Sequence, residues 1–424
     1  MKKLMLMLLV GSALGFAACS DEPAEGGKET PEVSIDPVTV SSITFTAEEA
    51  RANEAVNGFA LDFINTATAH FDATFEDAES KQTGNFTVSP VSAAMCMALT
   101  ANSVDDASTA NIAKVLGYDD LATLNSTVGK LMRFLPCEES GAVMSLANSV
   151  WANNMYTVDS RYIANMNELF QSEVRSIDMG ASDAISKIND WVALKTKNRI
   201  TNLIEELNSD CAAVLVNAMY FAGDWKWKFD KELTTDENFV GSKGNKSVPM
   251  MHMERLLGAM NTTNFDMVSL PFKGWTRMVL ALPKQGLDIA EASFRLTAED
   301  MAAVQQASSM TETIVNLSLP RFDTGSTSKL NDVLDAMGID CNYATLSKMG
   351  IDKQVVYNIV QKTSNSVNED GAVAAAATSN TICTSPGESV EYDRMTLTFN
   401  RPFMFFIVND KTGSILMAGR ICNL

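Results

Sequence analysis

Histidine is nearly missing from this sequence: His70 and His252 are the only two in 424 residues. General acid–base and metal-assisted chemistry lean heavily on imidazole. Two histidines, neither beside a partner motif, leave a catalytic dyad or a metal cluster little to draw on, so both read as structural or surface residues. No G-x-S-x-G elbow, H-E-x-x-H pair or Cys–His signature occurs either, which argues against a hydrolase. Basic charge is also short. With 33 Lys and Arg against 52 Asp and Glu the net charge is −19. Nucleic acid needs clustered cations, so it is not an expected partner. The seven cysteines, Cys19, Cys96, Cys137, Cys211, Cys341, Cys383 and Cys422, follow no zinc or redox spacing. No metal and no cofactor is expected. Cys96, Cys211 and Cys422 sit in or beside apolar runs and are predicted to be buried free thiols. Long hydrophobic runs are lacking too, and the one at residues 4–10 is too short to span a bilayer.

That short run belongs to an export signal. Lys2 and Lys3 precede it, and small residues follow up to Ala17, Ala18 and Cys19. The Ala-Ala-Cys ending resembles a bacterial lipoprotein box, which makes residues 1–18 a signal peptide and Cys19 a lipidated N-terminus. Ordinary secretion with cleavage near Ala18 is the alternative. In residues 19–45, Cys19 is followed by SDEPAEGGKETPEVSIDP, acidic and rich in Pro and Gly. Such a segment cannot bury enough apolar surface to fold and reads as a flexible tether. Acidic residues directly after the cysteine resemble the export signal of Bacteroides-like surface lipoproteins. The expectation is an outer-membrane lipoprotein, surface-exposed or extracellular, joined to the membrane through a lipid on Cys19.

From about residue 46 no second linker and no internal repeat appears, so residues 46–424 are taken as one domain. Residues 45–72 show helical spacing through Val56, Phe59, Ala60, Phe63, Ile64 and Ala67. Ser89 is a good N-cap with Pro90 in the first helical position, and a buried helix should start there. Residues 142–152 read as a strand, and 188–204 as an amphipathic helix broken near Asn198. The apolar run 212–225 reads as a central strand covered on both faces, whose one polar member, Asn217, would need a partner. Two strands around a Lys273-Gly274 turn, another at 313–320 and a C-terminal hairpin complete an α+β pattern.

The most informative stretch is VNEDGAVAAAATS, residues 367–379. The preceding VVYNIVQKTSNSV alternates like a strand, and the following TSNTICTSPGESVEYD is loop-like. The bland reading, a tightly packed alanine helix, fits neither flank. A strand feeding a small-residue loop resembles the reactive-centre loop of the serpins, inhibitors that trap proteases. Further motifs follow in that family's order: NFTVSPVSAAMCMAL, INDWVALKTKNRITNLI, LVNAMYFAGDWKWKFDKELTTDENF, VPMMHM, SLPRF, LDAMGI and FNRPFMFFI. The resemblance covers residues of about 50–424.

The resemblance implies a serpin fold: about nine helices around a five-stranded central sheet A, with sheets B and C and an exposed reactive loop. It implies no enzyme but a suicide substrate, expected as a monomer, that traps a serine or cysteine endopeptidase as an acyl-enzyme. Non-inhibitory serpin and surface-binding lipoprotein are the alternatives. Glu369, Gly371, Ala372, Ala374, Ala375, Ala376, Ala377 and Thr378 match the hinge of inhibitory members. The reactive bond falls at Ser385–Pro386, with Thr384–Ser385 and Cys383–Thr384 as alternatives, and a second site near Tyr392 or Arg394 stays open. Small residues there suit elastase-like, subtilisin-like or papain-like proteases. Ser89, Ser92 and Asn217 match the residues where the sheet opens. The neighbouring strand carries Gln361 where the family has a His. A plain capping role for Ser89 is equally open.

Overall fold

The computed structural model describes residues 43–75, 77–136, 142–306, 309–341, 343–372 and 391–424. The signal peptide, Cys19, nearly all of the tether, Ala374 to Thr378 and Cys383 to Pro386 lie outside the described residues.

The first expected helix is α1 (Ala47–Ala69), opened by Thr46 and Glu49 capping each other. Its stripe from Val56 to Ala67 is buried as the spacing requires. Helix α2 (Pro90–Ala101) is buried at every position, and Ser89 accepts a hydrogen bond from the Ser92 N–H at its start. Small Ala and Ser residues let this helix lie close beneath the central sheet.

That sheet contains β1 (Ala142–Asn153), β2 (Glu173–Ile177), β3 (Ala213–Asp224), β4 (Phe322–Lys329), β5 (Tyr357–Asn368) and the two-residue β6 (Gly371–Ala372). Across the sheet the order is β4-β5-β6-β3-β1-β2, and β5 also pairs directly with β3. Five long strands and one short wedge therefore make the layer. β3 is buried along almost its whole length because both faces are covered. Val214, Val216, Ala218 and Tyr220 pack against Ile188, Trp191 and Val192 of α3 (Ala184–Lys195). Leu215, Met219 and Phe221 belong to the main core instead.

The second layer is a nine-stranded sheet. Its 18-residue strand Gly244–Asn261 runs through both halves, so the expected sheets B and C join in one hydrogen-bonded array. The Lys273-Gly274 turn joins Phe265–Pro271 to Thr276–Pro283, and the C-terminal hairpin is Phe403–Asn409 with Ile415–Ile421. Ten α-helical segments occur among the described residues.

One boundary differs. The helix expected over 188–204 is α3, which starts earlier and stops at Lys195. Lys197 and Asn198 take positive φ and end it. Asn189 then accepts from the N–H groups of Leu203 and Ile204, and folds them back onto the helix. Ile200, Leu203 and Ile204 are buried, but by a loop and not by a further turn of helix.

Candidate functional site

The chain leaves β5 at Asn368, turns through Glu369 and Asp370, and returns as β6. Gly371 and Ala372 pair antiparallel with Asn368 and Val367 on one side and with Asp224 and Gly223 on the other. Beyond this wedge β3 and β5 close on each other, parallel, over eight register pairs from Tyr357–Ala213 to Ser364–Tyr220. The start of the hinge is thus not in the exposed loop: Gly371 and Ala372 are buried and already seated in the sheet. Gly371 has φ +151°, and a Cβ there would stand 2.1 Å from the Gly223 carbonyl oxygen. Only glycine fits.

Two carboxylates clasp the turn. Glu369 is buried, takes Arg321 Nε at 2.8 and 2.9 Å and also its Nη2, and accepts the Thr234 hydroxyl at 2.6 Å. Asp370 takes Lys228 at 2.9 Å and Lys231 at 2.6 Å. Burial pushes the Glu369 carboxyl up, but the bonds from Arg321 and Thr234 outweigh it and hold the group below its ordinary value. Asp370 is likewise lowered: desolvation opposes, and the two lysines win. The backbone is pinned as well. The Phe229 N–H donates to the Glu369 carbonyl, the Trp225 N–H to the Asp370 carbonyl, and Trp225 Nε1 to the Asn368 carbonyl at 2.9 Å. The Trp225 ring is fixed by stacking on Phe272 at 4.4 Å.

Lower in the sheet, the structure brings Ser89, Ser92, Asn217 and Gln361 together, all fully buried. Gln361 and Asn217 face each other in register across β5 and β3. The Gln361 amide accepts from the Ser89 N–H at 2.9 Å, donates to the Ser89 carbonyl at 3.0 Å, and reaches Asn217 Oδ1 at 3.2 Å. Ser92 Oγ donates to Asn217 Oδ1 at 2.6 Å, and Asn217 Nδ2 donates to the Ser92 carbonyl and to Asn148 Oδ1. Ser89 Oγ caps α2 and also touches Met219 Sδ. None of these side chains titrates near neutrality. Asn148, directly opposite Asn217 in the β1–β3 ladder, was not anticipated. Its strand also carries Ser145, Ser149 and Asn153, so nothing local singles it out.

Four residues along β5, Asn365 meets no such provision. Both its amide atoms are buried without a hydrogen-bond partner among the described residues. The other candidate positions are ordinary. His252 pairs with Glu237 and bonds Ser318, and Cys96, Cys211 and Cys422 are buried free thiols. Arg394 lies within the strand Asp393–Thr398, which is paired to Thr313–Ser318.

Comparison with known proteins agrees with this geometry. The family model described as Serpin (serine protease inhibitor) matches residues 66–424. Serpin B3 of Homo sapiens is 30% identical over 82% of this chain and 95% of its own length. Antichymotrypsin-2 of Bombyx mori is 32% identical over 70% of this chain and 81% of its own. Among solved structures, Serpin48 of Tenebrio molitor superposes with TM-score 0.73 at 26% identity, covering 90% of this chain and all of that one.

Proposed function

Since this chain belongs to the serpin family, whose members are mostly protease inhibitors and not enzymes, we propose that it traps a serine or cysteine endopeptidase by inserting its cleaved loop between β3 and β5. Strand addition with release of stored strain is the established behaviour of serpin loops. The observation that carries the reading is the wedge: Gly371 and Ala372 already occupy the lane a new strand would take.

The target's nucleophile attacks the carbonyl of the reactive residue, the peptide C–N bond breaks, and the freed amine takes the proton. An acyl-enzyme remains. If the register of Gly371 and Ala372 continued on insertion, Ala374 would come opposite Asn365, Ala376 opposite Thr363, and Thr378 between Gln361 and Asn217. Strand side chains alternate, so Ala372, Ala374, Ala376 and Thr378 share the buried face. None is charged or bulky, so entry meets no steric or desolvation barrier. About fourteen residues at roughly 3.3 Å each carry the enzyme on the order of 45 Å, away from the geometry that would let water deacylate it. Insertion parts Gln361 from Asn217, which makes Ser89, Ser92, Asn217 and Gln361 the gate. The Thr378 hydroxyl is the side chain that would arrive between them.

We assign the reactive residue to Ser385, with Thr384 and Cys383 next, and elastase-like, subtilisin-like or papain-like proteases as targets. Lipid on Cys19 would hold the inhibitor at the outer membrane. Incubation with such proteases followed by denaturing gels tests the reading. A covalent band of summed mass is expected; clean nicking of the loop without it would leave a non-inhibitory member of the family.

A further inference from the structure

Away from the hinge, a cleft of about 430 Å³ opens beside the C-terminal end of α1. Arg420 forms part of its lining, a residue only 3% exposed on the strand Ile415–Ile421. Its guanidinium lies over the rings of Phe71 at 5.1 Å and Phe86 at 4.9 Å. Nε donates to the Gly84 carbonyl at 3.2 Å and Nη1 to the Ile289 carbonyl at 3.0 Å. Among the described residues Nη2 has no hydrogen bond and the group has no ion-pair partner. A desolvated cation without an anion in contact is costly, and structures seldom carry one without a use for it. Burial indeed depresses the guanidinium from its ordinary value, although Cys422 and Asp288 oppose this.

We propose that this cleft binds a monoanionic organic carboxylate, held on the free Nη2 edge of Arg420 with its apolar body against Phe71, Ala290 and Ala292. The lining supports each part. A guanidinium is the donor best matched to a carboxylate. The two alanines leave room for a body, and the volume lies within the usual range of small-molecule sites. Asp72 on the rim and Asp288 near the guanidinium repel a second negative charge. This selects against phosphate and polyanions. Thr68, Ala69 and His70 form the rest of the described lining.

The test is titration of the full chain with benzoate, hexanoate and the neutral isostere benzamide, read by calorimetry and thermal shift. Benzoate or hexanoate should bind saturably and raise the melting temperature, while benzamide and inorganic phosphate should not. Arg420→Met should weaken carboxylate binding by at least about tenfold. If Arg420→Met does not fold, Ala290→Glu and Ala292→Glu decide. A tethered carboxylate should abolish binding of the free one without lowering the melting temperature. Equal binding of benzamide, no saturable binding of either carboxylate, or undiminished binding in Arg420→Met or in both glutamate variants overturns the proposal.

Discussion

Two amides of β5 face the same interior and fare differently. Gln361 spends its amide on Ser89 and Asn217, whereas Asn365 is sealed in with both ends unpaired among the described residues. An unmet buried polar group costs about 1–3 kcal/mol. Asn365→Val, of lesser bulk and without the penalty, should therefore stabilise the intact molecule by about that much and slow loop insertion. Matched thermal denaturation and insertion kinetics would show it; an unchanged melting temperature would refute the claim that the amide is unsatisfied. At Gln361 the prediction concerns pH. No group in this network titrates between about pH 5 and 7, so insertion should be flat across that window. Gln361→His should make it pH-dependent, the network loosening in acid as a buried imidazole gains charge. Gly371→Ala would drive a Cβ into the Gly223 carbonyl. It should destabilise the intact fold by about 1–3 kcal/mol and unseat β6, which hydrogen exchange at Ala372 would report.

At the scale of elements, the turn between β5 and β6 is held by carboxylates whose values lie below the ordinary ones. A depressed carboxyl contributes stability above its unfolded value and loses it as pH falls through the folded one. The hinge should thus be firm at neutrality and release only in acid below the ordinary carboxylate range, as pH falls through the depressed values of the two groups. Rising susceptibility of residues 369–372 to exchange in acid, with the rest protected, would be the signature. Glu369→Gln should produce the same loosening at neutral pH, since Arg321 keeps one weaker acceptor; unchanged exchange there would remove the clasp from the account. The strands of this region were readable in advance because alternation and β-branching are local signals, and so was α2, announced by Ser89 and Pro90. The clasp was not. Arg321, Thr234, Lys228 and Lys231 reach the hinge from 48 to 142 residues away in the chain, and each looks like any surface residue. The break near Asn198 was legible, but the further helical turns expected beyond it do not form, for a related reason. Ile200, Leu203 and Ile204 keep the spacing of a buried stripe while a distant amide, Asn189, dictates a loop.

For the whole molecule, the proposal requires the intact form to be the less stable one. The loop-cleaved protein should melt well above the intact protein, and equal melting would leave the trap without a driving force. Ala372→Arg or Ala376→Arg would bury an unpaired guanidinium in the inserted sheet. Either should convert the inhibitor into a nicked substrate, and a full yield of covalent complex would contradict this. The serpin architecture itself was legible from the ordered motifs along the chain.

The eight-pair parallel seam between β3 and β5 has a further consequence. Once a chain has filled it, one ladder has become two, and nothing in the sheet favours going back. On the proposed mechanism each copy would therefore work a single time. Protection would be a stockpile drawn down molecule for molecule, and its ceiling would be set by how many copies the cell makes, with no catalytic recycling to extend it.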